Sequence, residues 1–307
     1  MILVTGISGG LGSLIFRGLS GEDGLDVVGG TRSGDGRTAR RIDFDDPVSL
    51  ADGFRGVDVL VFVSAGYAED DIVLARHGAV VDAAEAAGVR HVIYTSLASS
   101  GDLMTIALTH RWTEARLAEA SFDVTILRNG LYAEVPVGLA TAAAASAAET
   151  GVFAAAFGTG RVSVVAKKDL AEVAVRVAAE IQHDLAAGRR NRHAGKTYEL
   201  EGVEAIGGQD IAEVLSDALD RPVDYQPISL FTTREALAGS GLEPYQITHT
   251  LSLFSNLNAG YLQANGTDLT TLLPTKPRLV RDQIVQAVKD GGYQSRSVTS
   301  QSVTNRT

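Results

Sequence analysis

The sequence predicts an α/β fold, a doubly wound parallel sheet with a small, mainly helical C-terminal lobe. Two observations point there. Short β-branched runs alternate with amphipathic stretches through the first 130 residues, and a glycine-rich loop follows the first run and opens the first helix. With 307 residues and 45% hydrophobic content, the chain has enough apolar material for one or two packed domains.

The predicted strands are Ile2 to Thr5, Asp26 to Gly30, Val57 to Val63, His91 to Thr95 and Asp123 to Arg128. Most are near-continuous apolar runs, as strands covered on both faces require. Helical spacing falls on Leu11 to Leu19, Asp70 to Ala87 and Ile106 to Ala120; in the second, Leu74, Val81 and Ala84 share a face, with Arg76 and Glu85 turned away. Asp45 and Asp46 read as caps of a helix that begins near Pro47. Beyond Arg128, the alanine-rich stretch Leu139 to Glu149 predicts a closely packed helix. Arg161 to Ala166, then Asp169 to Gln182 with Asp169 as N-cap, then Thr197 to Leu200 predict a strand, a helix and a last strand that rejoin the first sheet. The resulting organisation is a dinucleotide-binding core over 1–130, completed by 161–200, a substrate-binding lobe formed by 131–160 and the proline-punctuated 201–291, and a disordered tail over 295–307.

The strongest local signal is Thr5-Gly6-Ile7-Ser8-Gly9-Gly10-Leu11-Gly12. Gly6 permits a tight turn, Gly9 lets backbone amides approach a pyrophosphate, and Gly12 allows close helix-to-strand contact at a helix N-terminus of positive potential. Some such spacing arises by chance among 33 glycines, so its strand-loop-helix position is what makes it informative. Arg32 stands at the end of the second strand, ~20 residues beyond this loop, where an NAD-preferring site carries a carboxylate. A guanidinium there suits the 2′-phosphate of NADPH. Arg37, beyond the flexible stretch Gly34-Asp35-Gly36, is a second candidate. Asp43 and Phe44 are placed to contact adenine, and Ser64, Ala65 and Gly66 to bracket the nicotinamide ribose.

Together with that loop, Thr31-Arg32, Gly56-Val57-Asp58-Val59-Leu60, Ile93-Tyr94-Thr95-Ser96, Thr109-His110-Arg111-Trp112-Thr113-Glu114 and Leu127-Arg128-Asn129-Gly130-Leu131-Tyr132 make the chain similar to the NmrA-like atypical short-chain dehydrogenases. The likeness spans about Met1 to Asp290 and is nearest to bacterial type-2 NAD(P)H:quinone oxidoreductases and triphenylmethane dye reductases. It implies a Rossmann-type sheet, NADPH along its carboxyl edge from Ser8, Gly10 and Leu11 to Thr95 and Ser96, and a lobe over the nicotinamide. The family holds redox enzymes and cofactor-sensing regulators, so membership leaves both open. Some relatives carry a lysine where this chain has Ala115.

Ordinary short-chain dehydrogenases set a lysine four residues after a tyrosine to supply the acid for alkoxide protonation. No tyrosine here has that partner; Ala98 follows Tyr94 and Pro136 follows Tyr132 at that offset. Reducing a quinone releases a phenolate of conjugate-acid pKa about 10, against about 15.7 for an alkoxide judged by water, which lowers the protonation demand by on the order of 8 kcal/mol. A small conjugated acceptor, a quinone or similar, therefore fits. His110, Asn129 and Tyr132 are the candidate catalytic residues, with His110 as donor or proton relay or, instead, as a support that holds Glu114, and Trp112 as packing. Alternatives are an NADP(H)-sensing regulator without turnover and an imine or carbonyl reductase that takes its acid from His110 or water.

Net charge of −10, from 37 acidic and 27 basic residues, excludes a general nucleic-acid footprint, and Arg189-Arg190-Asn191-Arg192-His193 reads as a solvated loop. Absence of cysteine removes thiolate chemistry, and no histidine spacing suits a metal. The first residues read as strand and turn, and no apolar run approaches the roughly 18 residues of a membrane span. A cytoplasmic protein is expected, and a homodimer is compatible with the sequence.

Overall fold

The structure is a computed structural model that describes residues 1–64 and 68–291. The sequence readings for Ala65, Gly66 and the tail 295–307 lie outside the described residues. The core runs β1 (Ile2–Val4), α1 (Gly10–Ser20), β2 (Val27–Thr31), β3 (Ala39–Arg41), α2 (Pro47–Gly53), β4 (Val59–Val63), α3 (Asp70–Ala86), β5 (His91–Leu97), α4 (Ala107–Ala118) and β6 (Asp123–Asn129). Next come β7 (Leu131–Tyr132), α5 (Glu134–Thr150), β8 (Val152–Ala155), β9 (Arg161–Val165), α6 (Lys167–Ala186) and β10 (Lys196–Leu200). The remainder is β11 (Ala205–Gly207), α7 (Gly208–Leu219), β12 (Asp224–Pro227), α8 (Leu230–Ala238), α9 (Pro244–Asn258), α10 (Leu269–Leu272) and α11 (Val280–Asp290).

Seven strands form a parallel sheet in the order β10-β6-β5-β4-β1-β2-β3. The order reverses between β1 and β4, and that switch point opens a crevice at the carboxyl edge. Because side chains alternate along a strand, Ile2, Val4, Val61, Ile93 and Leu127 pack against α1 and α6, while Leu3, Leu60, Phe62 and Tyr94 face Val80 and Val81 of α3. The lobe has its own core around Phe153, Phe157, Ile211, Leu215, Phe254 and Ile284.

Several sequence readings are corrected. Strand β9 does not rejoin the main sheet but pairs with β7 and β11 in a separate three-stranded sheet, although α6 does cover the core and β10 does extend it. Asp169 is not an N-cap: Ala166 holds that position, and Asp169, fully buried inside the first turn, pairs with Arg278. Asp46 caps α2 by accepting from the Val48 and Ser49 amides, whereas Asp45 turns to Arg76. The buried face of α3 is Val73, His77, Val80, Val81 and Ala84, so Leu74 sits at its margin. Strand β3 was not predicted, since three residues with two arginines carry no apolar period.

Candidate functional site

The glycine loop lies at the carboxyl edge, between β1 and α1. Gly6 adopts φ +63°, and a methyl group at Gly12 would stand 2.3 Å from the Gly6 carbonyl oxygen, so both positions exclude a side chain. Gly9 donates to the Gly6 carbonyl (2.9 Å) and caps α1 without a side-chain bond. The amides of Gly10, Leu11 and Gly12 then begin the helix with no intrahelical acceptor, Ser8, Gly9 and Gly10 are exposed, and the first turn carries no acidic residue. Anions are favoured at such a helix end.

Arg32 follows β2, is exposed, and makes no hydrogen bond or ion pair among the described residues. Asp45 feels its charge but is bound by Arg76, through Nε (2.8 Å) and Nη2 (2.6 Å). That hydrogen bond holds Asp45 below the usual carboxylate range. The turn that presents Arg37 is held by Asp35 rather than flexible: its carboxylate accepts from the amides of Arg37, Thr38 and Ala39 at 2.7 to 2.9 Å. Asp43 and Phe44 are half-buried beside this edge, with the Phe44 ring edge-on to Phe62 at 5.7 Å.

At the ends of β4 and β5, the Ser64 amide donates to the Thr95 hydroxyl (3.1 Å), and Ser96 donates to Glu114 (2.5 Å). Both residues are buried and their hydroxyls engaged: Thr95 ties the end of β4 to β5, and Ser96 ties β5 to α4. Asn129, ending β6, is buried, and its Oδ1 has no hydrogen-bond partner among the described residues. A buried acceptor left without a partner is uncommon in a folded chain. Two residues on, the Tyr132 ring lies under the Lys167 ammonium, 4.9 Å from its centroid.

His110 lies inside α4, half-buried, with Nδ1 2.9 Å from the buried Tyr94 hydroxyl. Burial, then the Arg111 charge, lowers its pKa to about 4, so the ring is neutral at pH 7. It does not hold Glu114. That carboxylate is bound by Arg128 (2.6 Å), Arg111 (2.7 Å) and Ser96; burial raises its pKa, but these partners outweigh burial and keep it ionised. Arg111 also reaches Asp102 and the Leu97 carbonyl. The His-Arg-Trp-Thr-Glu block is thus chiefly a brace between α4 and the ends of β5 and β6. Trp112, read from the sequence as packing, is 38% exposed and touches α3 near Gly78.

Sequence reasoning missed Arg76 and Lys167, which reach this edge from helices distant in the chain. Lys167 has only its position near a predicted helix start as a signal, and Arg76 only its place on the polar face of a predicted helix, both shared by many surface cations.

A family model described as NAD(P)H-binding matches residues 6–181. The chain belongs to this NAD(P)H-binding family. Quinone oxidoreductase 2 of Escherichia coli K12 is 32% identical over 252 residues, covering 79% of this chain and 82% of that protein. NAD(P)H azoreductase of Xenophilus azovorans is 28% identical over 293 residues, 91% of this chain and 92% of that one. Citrobacter sp. triphenylmethane reductase, solved in complex with NADP(H), superposes with a TM-score of 0.81 at 25% identity, covering 93% and 99% of the two chains. This NAD(P)H-binding protein is accordingly an oxidoreductase related to the quinone oxidoreductases and azoreductases. Among its described residues, no helix is long and apolar enough to cross a membrane.

Proposed function

We propose that the chain binds NADPH and reduces a small, electron-poor conjugated acceptor, a quinone or a compound of similar electronics, by hydride transfer. The observation that carries this reading is the set of polar groups along the carboxyl edge that have no partner among the described residues: the first-turn amides of α1, the Arg32 guanidinium and the Asn129 Oδ1. They match, in order, a pyrophosphate, a 2′-phosphate and a hydrogen-bond donor such as a carboxamide. Bound there, NADPH supplies the hydride.

The chain's own part is positioning. Asn129 orients the reactive ring through its free acceptor, while Tyr132 and the lobe of 131–160 and 201–291 shape the acceptor's space. Helix α9 closes this side: His249 lies 2.6 Å from the Thr105 hydroxyl and 3.8 Å from Asp70 at the start of α3. A neutral His110 with a pKa near 4 is poorly matched to proton donation at pH 7, so the reading turns on an acceptor whose anion needs little help. Purified protein assayed for NADPH oxidation with quinones, azo and triarylmethane dyes and simple ketones tests it. Fast turnover of conjugated acceptors with silent ketones is expected; ketone reduction at a comparable rate overturns the acid-free mechanism.

A further inference from the structure

Like Arg32, Lys167 forms no ion pair among the described residues. It opens α6, on the same side of the sheet as α1, and its Nζ lies 3.8 Å from where a methyl group at Gly10 would stand. Gly10 is outside the Gly6, Gly9, Gly12 triad, and among the described residues beyond its own helix and chain neighbours, Lys167 is all that a side chain there would meet within 4 Å. The absent side chain leaves the lysine stem room to lie along the loop. Glu134 accepts from the Lys167 backbone amide (3.2 Å), yet no carboxylate among the described residues forms an ion pair with its ammonium. The Tyr132 ring holds the cation from one side.

An ammonium thus stands against a helix end that is itself positive and has no acid in its first turn. Two like potentials facing one another repel unless an anion lies between them. We infer that Lys167 is a cofactor-positioning residue that binds the dinucleotide's pyrophosphate together with the first-turn amides of α1. The inference rests on the dinucleotide reading above and adds a ligand to it from a segment some 155 residues downstream of the loop. The pyrophosphate is common to NADPH and NADH, so Lys167 sets affinity for both, whereas Arg32 discriminates between them.

Titration of the purified full chain with NADPH, NADH, ADP-ribose and adenosine 2′-phosphate separates these roles. Lys167→Gln is expected to weaken the first three by a common factor of about tenfold, the scale of a lost charged hydrogen bond. Binding of adenosine 2′-phosphate, which has no pyrophosphate, stays within twofold, and the melting temperature of the cofactor-free variant is unchanged. Lys167→Arg restores most of the affinity. Rising salt erodes NADH binding by the parent protein more steeply than by Lys167→Gln. Unchanged affinity in Lys167→Gln, loss confined to NADPH, or equal loss of adenosine 2′-phosphate overturns the inference while the dinucleotide reading stands. Failure of the parent protein to bind any dinucleotide overturns both.

Discussion

Asn129 and Asn191 are both asparagines buried at an edge of the same sheet, and they could hardly be used more differently. Asn191, at the amino edge, bonds His91 Nδ1 (2.6 Å) and accepts from the His193 amide (3.0 Å). Around it the matching continues. His91 Nε2 meets Thr125 (2.8 Å), His193 meets Tyr198 (2.9 Å) and Glu180 (2.8 Å), and Arg189 and Arg192 both bind the buried Asp184. Asn129, at the carboxyl edge, leaves its acceptor unmatched. At one edge the network around Asn191 spends its polar groups on the fold, with Gln182 Oε1 left over; at the other, the proposed reading gives the unmatched Asn129 acceptor to a ligand. The comparison also corrects the reading of the basic run at 189–193 as a solvated loop: its asparagine and histidine are buried, and two of its arginines clamp α6 to the entry of β10.

The largest expected effect breaks the amino edge. Asn191→Leu strands His91 Nδ1 in the interior and should lower the unfolding free energy by about 3 kcal/mol, measured by urea denaturation, with NADPH affinity unchanged. At the other edge, Arg32→Ala should weaken NADPH by ~1.5 to 3 kcal/mol and NADH hardly at all, with no loss of melting temperature. Equal loss for both cofactors would remove Arg32 from the 2′-phosphate.

Acid sharpens the contrast next. Burial, then the His193 charge, lowers the His91 pKa from the ordinary 6.5 to about 3, so the unfolded chain takes up the proton more readily. Stability from this neutral histidine is complete above pH 6.5 and is lost as pH falls towards 3. The slope is about 1.4 kcal/mol per pH unit, near 2 kcal/mol by pH 5, and His110 adds a parallel loss down to its value of about 4. Urea midpoints for the parent chain and a His91→Gln variant between pH 7 and 5 would measure it; equal slopes in the two would refute the assignment to His91. A small stability effect is expected of Asn129→Leu, which removes an unsatisfied acceptor and should change stability by less than about 1 kcal/mol while NADPH-dependent turnover falls tenfold or more. Marked destabilisation there would mean Asn129 serves the fold as Asn191 does.

Much of the core was legible because local rules dictate it. The strands β1, β4, β5 and β6 announce themselves as apolar runs, Gly6 as the residue of a left-handed turn and Gly12 as one where a Cβ has no room. What escaped was set by pairing across the chain. Strand β9 looks like a buried parallel strand wherever it lies, and only its partners β7 and β11 place it outside the main sheet. His110 could be read as an acid or a support, because its pKa depends on burial and on Tyr94 and Arg111 together. The serine hydroxyl of Ser96 looked available for a cofactor until Glu114 was brought against it.

The sequence by itself determined a glycine loop between a strand and a helix, a cation in place of a carboxylate after the second strand, and the absence of a tyrosine-lysine acid pair. Each of these is a matter of residue type within a few positions, where sterics and backbone period act. Only the tertiary structure decided which polar groups are matched and which are left over. Lys167 meets the loop at Gly10, and Asn191 meets His91 across 100 residues, because strand order sets which helix ends and strand ends are neighbours. A hydrogen bond or a charge is satisfied by its neighbours in space, and a linear pattern does not contain them.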